Sequence, residues 1–193
     1  MVQVLRCALQ TPENVKEKVQ SSRISIREAF RAKNRSRTIA IAGLLAGVYA
    51  VATVALGTTS FLALNLRLSN ILIGVVPIVG WPAVFGLSLG VFLSNTVSPL
   101  GPIDLLSSIV SFCGLTAIQL LKPRSAFSGF LIYSVLLSIW VTFEIEIVTS
   151  APLYPIIYLV PAGVSVVVLA LAYPFYRALL KTSLARRFEE VNA

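Results

Sequence analysis

The sequence contains no histidine and only two cysteines among its 193 residues. Without histidine, the chain cannot contain a Ser-His hydrolase site, a His-ligated zinc protease site or a histidine general base. Cys7 lies in a polar tail and Cys113 lies inside an apolar segment, so we do not expect a disulfide between them. Neither cysteine has a second cysteine nearby for metal binding. The sequence therefore predicts no metal ion and no other cofactor.

Charged residues are also scarce, since they make up 12% of the chain whereas hydrophobic residues make up 56%. The apolar residues form long blocks, and a block of about 17 to 25 residues can cross a bilayer as a helix. We therefore predict an all-α, polytopic membrane protein. A cleaved signal peptide is not expected, because the first apolar block begins only at Thr38 and is too long for one.

The basic residues are concentrated at the two ends of the chain. Residues 1–37 hold nine Lys/Arg and three Glu, and the segment from Arg177 onward holds four Lys/Arg and two Glu. The positive-inside rule then places both termini in the cytoplasm, which requires an even number of spans. This topology accounts for the net charge of +8, so nucleic-acid binding is not expected.

The apolar blocks predict six transmembrane helices in a multi-pass protein of the plasma membrane. The predicted spans cover residues 38–56, 61–79, 82–97, 104–121, 127–148 and 155–180. The chain then divides into a basic cytoplasmic tail (1–37), a six-helix transmembrane domain (38–180) and a cytoplasmic C-terminal tail (181–193). The first tail either forms an interfacial helix on the anionic inner leaflet or only sets the orientation of the protein.

The most informative stretch is the polar hairpin at residues 98–103, between the third and fourth spans. Asp104 follows it and shares one helical stripe with Ser107, Ser108 and Ser111. Because a polar stripe is costly to expose to lipid, we expect it to face the bundle interior or a wet cavity. An acid after Gly-Pro also suits a helix cap, so Asp104 has both a structural and a binding interpretation.

Small residues recur every four positions on two of the predicted helices, which lets a neighbouring backbone approach closely. In the third span these residues are Gly86, Gly90 and Ser94. In the first span they are Ala42, Ala46 and Ala50. The alanine face suits either packing inside the bundle or docking of another membrane helix.

Two further polar groups lie in the outer half of the predicted topology, as the hairpin does. Arg67 and Asn70 are three residues apart, so they share a helix face, and this favours a cavity over snorkelling of the arginine. Glu144 and Glu146 differ by about 200° around a helix, so they cannot face the same cavity. Glu144 lies deeper and is the costlier of the two to leave facing lipid. These groups predict an outward-facing pocket for a planar, polar small molecule, with or without a positive charge.

An enzyme is not the favoured interpretation of the carboxylates. They could serve acid-base chemistry, but no nucleophile or metal cluster accompanies them. The chain also has no phosphate-binding glycine loop, since GLSLG lies inside an apolar run. If the protein moves a solute against a gradient, the energy must come from a partner or from an ion.

Three segments carry a resemblance to a known family: LNLRLSNILIGVVP, GLSLGVFLSN and GPIDLLSSIVS. In this order they resemble the queuosine-precursor transporters, which are substrate-binding S components of energy-coupling factor (ECF) importers. The resemblance covers residues 39–121 well and the last two spans loosely. It implies a six-helix bundle of the ECF S-component type, an outward-facing ligand cavity and no catalysis by the chain itself.

The family also implies partners and a ligand. The partners would be a transmembrane coupling subunit, docked on Ala42, Ala46 and Ala50, and two ATPase subunits. The ligand would be a 7-deazaguanine, such as queuine or 7-aminomethyl-7-deazaguanine. The candidate substrate-binding residues are Arg67, Asn70, Asn95, Asp104, Ser107, Ser108 and Glu144.

The chain departs from the family pattern at two places. Asn70 stands where the family usually has a glutamate, and the sixth span has no acid before Glu189. Asparagine can bind a base edge but cannot neutralise an aminomethyl cation, a role that passes to Glu144 or Asp104 unless the ligand is neutral. The alternative function is a stand-alone secondary transporter that uses one of these two carboxylates for proton coupling.

Overall fold

A computed structural model describes residues 35–56, 67–150 and 153–182. The predictions for residues 1–34, 57–66, 151–152 and 183–193 lie outside this part, including the interfacial helix, the first residues of the second span and most of the C-terminal tail. The chain divides into two compact units, Met1–Ala40 and Ile41–Ala193. All packing described below lies within the second unit.

All regular structure within the described residues is helical. Helix α1 is Arg35–Ala55. A 3₁₀ helix, Leu68–Val75, continues into α2, Val76–Val79, and α3 is Trp81–Asn95. A short 3₁₀ turn, Pro102–Leu106, leads into the long helix α4, Ser107–Thr149. The last segment consists of α5 (Leu153–Ser165), a π-helix (Val166–Ala172) and α6 (Tyr173–Leu180).

Helix α4 is two arms folded back on each other. The break is at Ser125 (φ −160°, ψ 102°), directly after the Lys122–Arg124 segment that contains Pro123. A Cβ added to Gly114 would lie 2.6 Å from the Tyr133 ring, and one added to Gly129 would lie 2.6 Å from the Ile118 Cα. These close approaches show that arm 107–124 runs antiparallel to arm 126–149. The predicted end of the fourth helix at Lys122–Arg124 is therefore confirmed.

The described residues have the long apolar helices and apolar outer surface of a membrane protein. Three of its helices are long and apolar enough to cross one: Arg35–Ala55, Pro102–Val148 and Leu159–Leu180. Many large apolar side chains also face outward, such as Ile39 (71% exposed) and Leu44 (67%). The all-α membrane bundle is therefore confirmed, and the number of six spans stays a prediction.

The small-residue seam of α3 packs against α1. A Cβ on Gly86 would lie 2.5 Å from the Ala42 carbonyl oxygen, and a Cβ on Gly90 would lie 2.9 Å from that of Ala46. Ala46 is 2% exposed. Close backbone approach through small side chains is the usual way in which membrane helices associate. The predicted packing role of Gly86 and Gly90 is confirmed.

Candidate substrate-binding site

The turn between α3 and the Pro102–Leu106 turn brings Asp104 back onto the end of α3. Gly101 makes this return possible, because its φ of 79° and ψ of −162° suit only glycine. The Asn95 side-chain amide then donates to both the backbone carbonyl and the Oδ1 of Asp104, each at 2.8 Å. Asp104 Oδ2 accepts no hydrogen bond from a described residue. Asp104 therefore links the Pro102–Leu106 turn to the end of α3.

Arg67 reaches the same carboxylate from the start of the Leu68–Val75 helix. Its Nη2 atom lies 3.9 Å from Asp104 Oδ2, and the residue is 6% exposed. The guanidinium also interacts with the side chain of Tyr49 on α1. Of the two interpretations of Arg67, the structure supports the one in which it points into the bundle.

The second arm of α4 contributes Glu144, which is 1% exposed. Ser107 donates to Glu144 Oε2 at 3.0 Å, and the Trp140 indole donates to the Ser107 hydroxyl at 2.7 Å. The indole therefore orients the hydroxyl, and the hydroxyl orients the carboxylate. Glu144 is also close enough to Asp104 and Arg67 for their charges to interact.

Further buried hydrogen bonds surround this centre. Tyr49 donates to Asn70 Oδ1 at 2.6 Å, so the oxygen of this amide is already occupied. The hydroxyls of Ser111 and Tyr133 are 2.9 Å apart and tie the two arms of α4 together. Both tyrosines are 1% exposed. These hydrogen bonds join side chains of α1, the Leu68–Val75 helix and both arms of α4 around the centre.

Two carboxylate oxygens of the site accept no hydrogen bond from a described donor, and the two carboxyl groups are within hydrogen-bonding distance of each other. The two oxygens are Asp104 Oδ2 and Glu144 Oε1, and both are fully buried. A buried polar atom without a partner costs about 1–3 kcal/mol, more if it is charged. With both acids ionised, Arg67 balances only one of the two negative charges. The arrangement is therefore suited to a ligand that brings hydrogen-bond donors or a positive charge.

The network brings together six of the seven candidate substrate-binding residues: Arg67, Asn70, Asn95, Asp104, Ser107 and Glu144. Ser108 is not among them, because its hydroxyl donates to the Leu105 carbonyl at 2.6 Å. Glu146 faces a different groove, on the far side of its helix. No cluster of three or more metal-ligating side chains occurs in the described residues.

The sequence predictions missed Tyr49 and Trp140 and gave Tyr133 no role. A signal was present for two of them, because Tyr133, Trp140 and Glu144 are spaced by seven and four residues and so share a helix face. Tyr49 had no such signal, since its partner Asn70 is 21 residues away.

A comparison with protein-family models matches residues 39–181 to the QueT transporter family. The chain belongs to the QueT transporter family. No curated protein and no solved structure matches the chain significantly. The match extends through the last two helices, where the resemblance seen in the sequence was loose. Membership in the QueT family supports a membrane transport function, and the site belongs to the part of the chain that the family model covers.

Proposed function

We propose that the protein is the S component of an ATP-driven ECF importer and that it captures a queuosine precursor of the 7-deazaguanine class. The observation that carries this proposal is the pair of buried carboxylate oxygens, Asp104 Oδ2 and Glu144 Oε1, whose side chains lie close to each other and to Arg67. Such oxygens need donors, and a guanine-like base carries several donors on one edge.

The recognition chemistry follows from the groups that the base presents. A 7-deazaguanine has a ring N–H and an exocyclic amine side by side, which a carboxylate accepts as a pair. Its carbonyl oxygen accepts hydrogen bonds, and the Arg67 guanidinium is the complementary donor. The Asn70 amide is suited to contribute an N–H, because its oxygen already accepts from Tyr49.

The charge of the site favours a cationic ligand among the deazaguanines. Asp104 and Glu144 oppose one arginine, so an aminomethyl substituent would restore neutrality in a buried site. This role for the carboxylates compensates for Asn70, which stands where the family usually has a glutamate.

The test is calorimetric titration of purified protein with 7-aminomethyl-7-deazaguanine, 7-deazaguanine and an unrelated vitamin. We expect the aminomethyl compound to bind at least tenfold more tightly than 7-deazaguanine, and the vitamin not to bind. Tight binding of the vitamin with no binding of either deazaguanine would refute the ligand assignment.

Energy for uptake would come from a coupling subunit and two ATPase subunits. The docking surface predicted for the coupling subunit comprises Ala42, Ala46 and Ala50, and Ala46 packs on Gly90 in this structure. On the same helix Gly43 and Gly47 are exposed, and a Cβ added to either would meet no atom within 4 Å. If docking uses the alanine face, α1 must separate from α3 when the complex forms.

Leucine substitutions on each face, followed by a pull-down with the coupling subunit, show which of the two faces docks. Ala46→Leu should abolish complex formation and uptake if the alanine face docks, and Gly47→Leu should leave both unchanged. Loss of the complex in Gly47→Leu alone would move the docking surface to the glycine face. Thermal unfolding must show that Ala46→Leu is still folded, because Ala46 is also buried.

The proposed topology has six spans, with both termini in the cytoplasm. The two arms of α4 supply the fourth and fifth spans, with their break at Ser125 on the cytoplasmic side near Lys122 and Arg124. The site then lies towards the outside, where an importer must capture its substrate. Labelling of a single cysteine at Ser125 in intact cells tests this topology, and modification by an impermeant reagent would contradict it.

A second candidate is a stand-alone secondary transporter. The observation that favours it is the proximity of Asp104 and Glu144 in the bundle interior, since two buried carboxylates can share and release a proton. Proton-driven uptake by the purified chain in liposomes would establish this function. Uptake only after addition of the coupling and ATPase subunits would exclude it.

A further inference from the structure

A ligand-sized space lies on the side of the second arm of α4 that faces away from the candidate substrate site. This groove, between arm 126–149 and α5, has a volume of about 450 Å³. Spaces of about 300–1,000 Å³ are typical of small-molecule sites in proteins. None of its lining residues belongs to the candidate substrate site. The groove therefore needs an explanation of its own.

The groove floor carries a ladder of polar side chains. Ser134, Ser138, Thr142 and Glu146 follow one another at four-residue intervals. Each interval is a rise of about 6 Å along the helix, so the ladder is about 18 Å long. At one end the Ser134 hydroxyl is 3.1 Å from that of Ser165 on α5, so these two hydroxyls are paired with each other. At the other end Glu146 lies three residues before the end of α4.

Two of these polar side chains are buried without a hydrogen bond to any described residue. Ser138 is 5% exposed and Thr142 is 9% exposed, yet neither hydroxyl makes a hydrogen bond with a described residue. Serine and threonine in membrane helices ordinarily donate to their own backbone, as Ser88 does to the Val84 carbonyl at 2.8 Å. The two hydroxyls are therefore suited to donate to a molecule in the groove.

The walls of the groove are apolar and face away from the bundle. Ile139 is 65% exposed and Phe143 is 51% exposed, and both line the groove. In a membrane protein such side chains contact lipid. The Glu146 carboxylate makes no ion pair with a described residue. The groove thus offers an acid near the helix end, hydroxyl donors one and two turns deeper, and apolar walls throughout.

We propose that this groove binds a phospholipid with a primary ammonium head group, of the phosphatidylethanolamine type. From its head inward, such a lipid presents an ammonium, a phosphate that stays in the aqueous head-group layer, ester carbonyl oxygens and then acyl chains. The ammonium pairs with Glu146, the ester carbonyls accept from Thr142 and Ser138, and an acyl chain lies along Ile139 and Phe143. Apart from the phosphate, this order of groups matches the order of side chains along the ladder.

Two other occupants fit the groove less well. A symmetric contact with a second copy of the chain would bury both Glu146 carboxylates in one interface, and the groove residues offer no countercharge. An acyl chain alone would leave the hydroxyls of Ser138 and Thr142 buried without partners. A helix of another protein would need its own cation at the level of Glu146, and the test below detects this occupant.

The experiment compares lipids with identical acyl chains on delipidated full-length protein, by native mass spectrometry and thermal unfolding. We expect phosphatidylethanolamine to bind about tenfold more tightly than phosphatidylglycerol, with phosphatidylcholine between them. Glu146→Gln should remove this preference, and the double variant Ser138→Ala/Thr142→Val should weaken binding at least fivefold. Ser88→Ala is the matched control and should behave like the unmodified protein.

Four results would overturn the proposal. The first is equal binding of the three lipids, and the second is an unchanged preference for phosphatidylethanolamine in Glu146→Gln. The third is that soluble phosphoethanolamine stabilises the protein as much as phosphatidylethanolamine does. The fourth is that a photoreactive group at Ile139 crosslinks to protein instead of lipid in native membranes. The third would indicate a site for small soluble amines, and the fourth would indicate a partner helix. Deazaguanine binding serves as an independent measurement, because the lipid proposal does not depend on it.

Discussion

The two glutamates of the second arm of α4 provide a sharp test of the proposed substrate site. They are two residues apart on one helix, but Glu144 is buried beside Asp104 while Glu146 lines the opposite groove. Glu144→Gln keeps the size of the side chain and the hydrogen bond from Ser107, and removes the charge. Glu146→Gln makes the same chemical change outside the site.

The expected magnitude follows from the bond that is lost. A hydrogen bond to a charged group contributes about 1.5–3 kcal/mol, which corresponds to a factor of about 10 to 150 in a dissociation constant. Glu144→Gln should therefore raise the Kd for 7-aminomethyl-7-deazaguanine by about 10- to 150-fold. Glu146→Gln should leave this Kd within about twofold, since its side chain makes no contact with the network.

Calorimetric titration in detergent, without added lipid, measures both variants. Thermal unfolding shows whether each variant remains folded, and the buried Glu144→Gln should be at least as stable as the parent because it removes a buried charge. Equal affinities of the two variants would refute the assignment of Glu144 to the ligand site. A larger loss in Glu146→Gln would show that the substrate occupies the groove instead.

Three further predictions concern the supports of the site. Gly90→Leu should destabilise the protein by about 1–3 kcal/mol in thermal unfolding, because its side chain would collide with α1, whereas Gly47→Leu should not. Asn95→Ala should weaken deazaguanine binding, because it removes the two hydrogen bonds that position Asp104. Asn95→Asp should bind as weakly, because a carboxylate cannot donate these bonds. Full affinity in Asn95→Ala would show that Asn95 does not position Asp104. Trp140→Phe removes one hydrogen bond to Ser107, which contributes about 0.5–1.5 kcal/mol, so the affinity for deazaguanine should fall about two- to tenfold. Trp140→Ala should lower this affinity further.

Sequence patterns predicted the helices well because their signals are local. Long apolar blocks, the Lys122–Arg124 break and the turn around Gly101 each depend on residues close together in the chain. The same holds for the small-residue seam of α3, whose four-residue spacing places Gly86 and Gly90 on one face.

The partners within the site were harder to predict, because they join distant residues. The contact between Tyr49 and Asn70 spans 21 residues, and that between Ser107 and Glu144 spans 37. A helical stripe indicates which side chains point the same way, but not which stripe on another helix they meet. Ser108 illustrates this limit, since it shares the stripe of Asp104 and yet bonds only to its own helix.

The sequence by itself determined that this protein is an all-helical membrane protein of a transporter family, because hydrophobicity, charge asymmetry and short motifs are properties of the chain. Only the tertiary structure placed Asp104 against Asn95 and Arg67, and only it buried Glu144 in this network while Glu146 lines the opposite groove. In both cases the placement depends on what faces the carboxylate across a helix interface. Burial without a hydrogen-bond partner, which marks both the candidate substrate site and the groove proposed to bind lipid, exists only once the helices have packed.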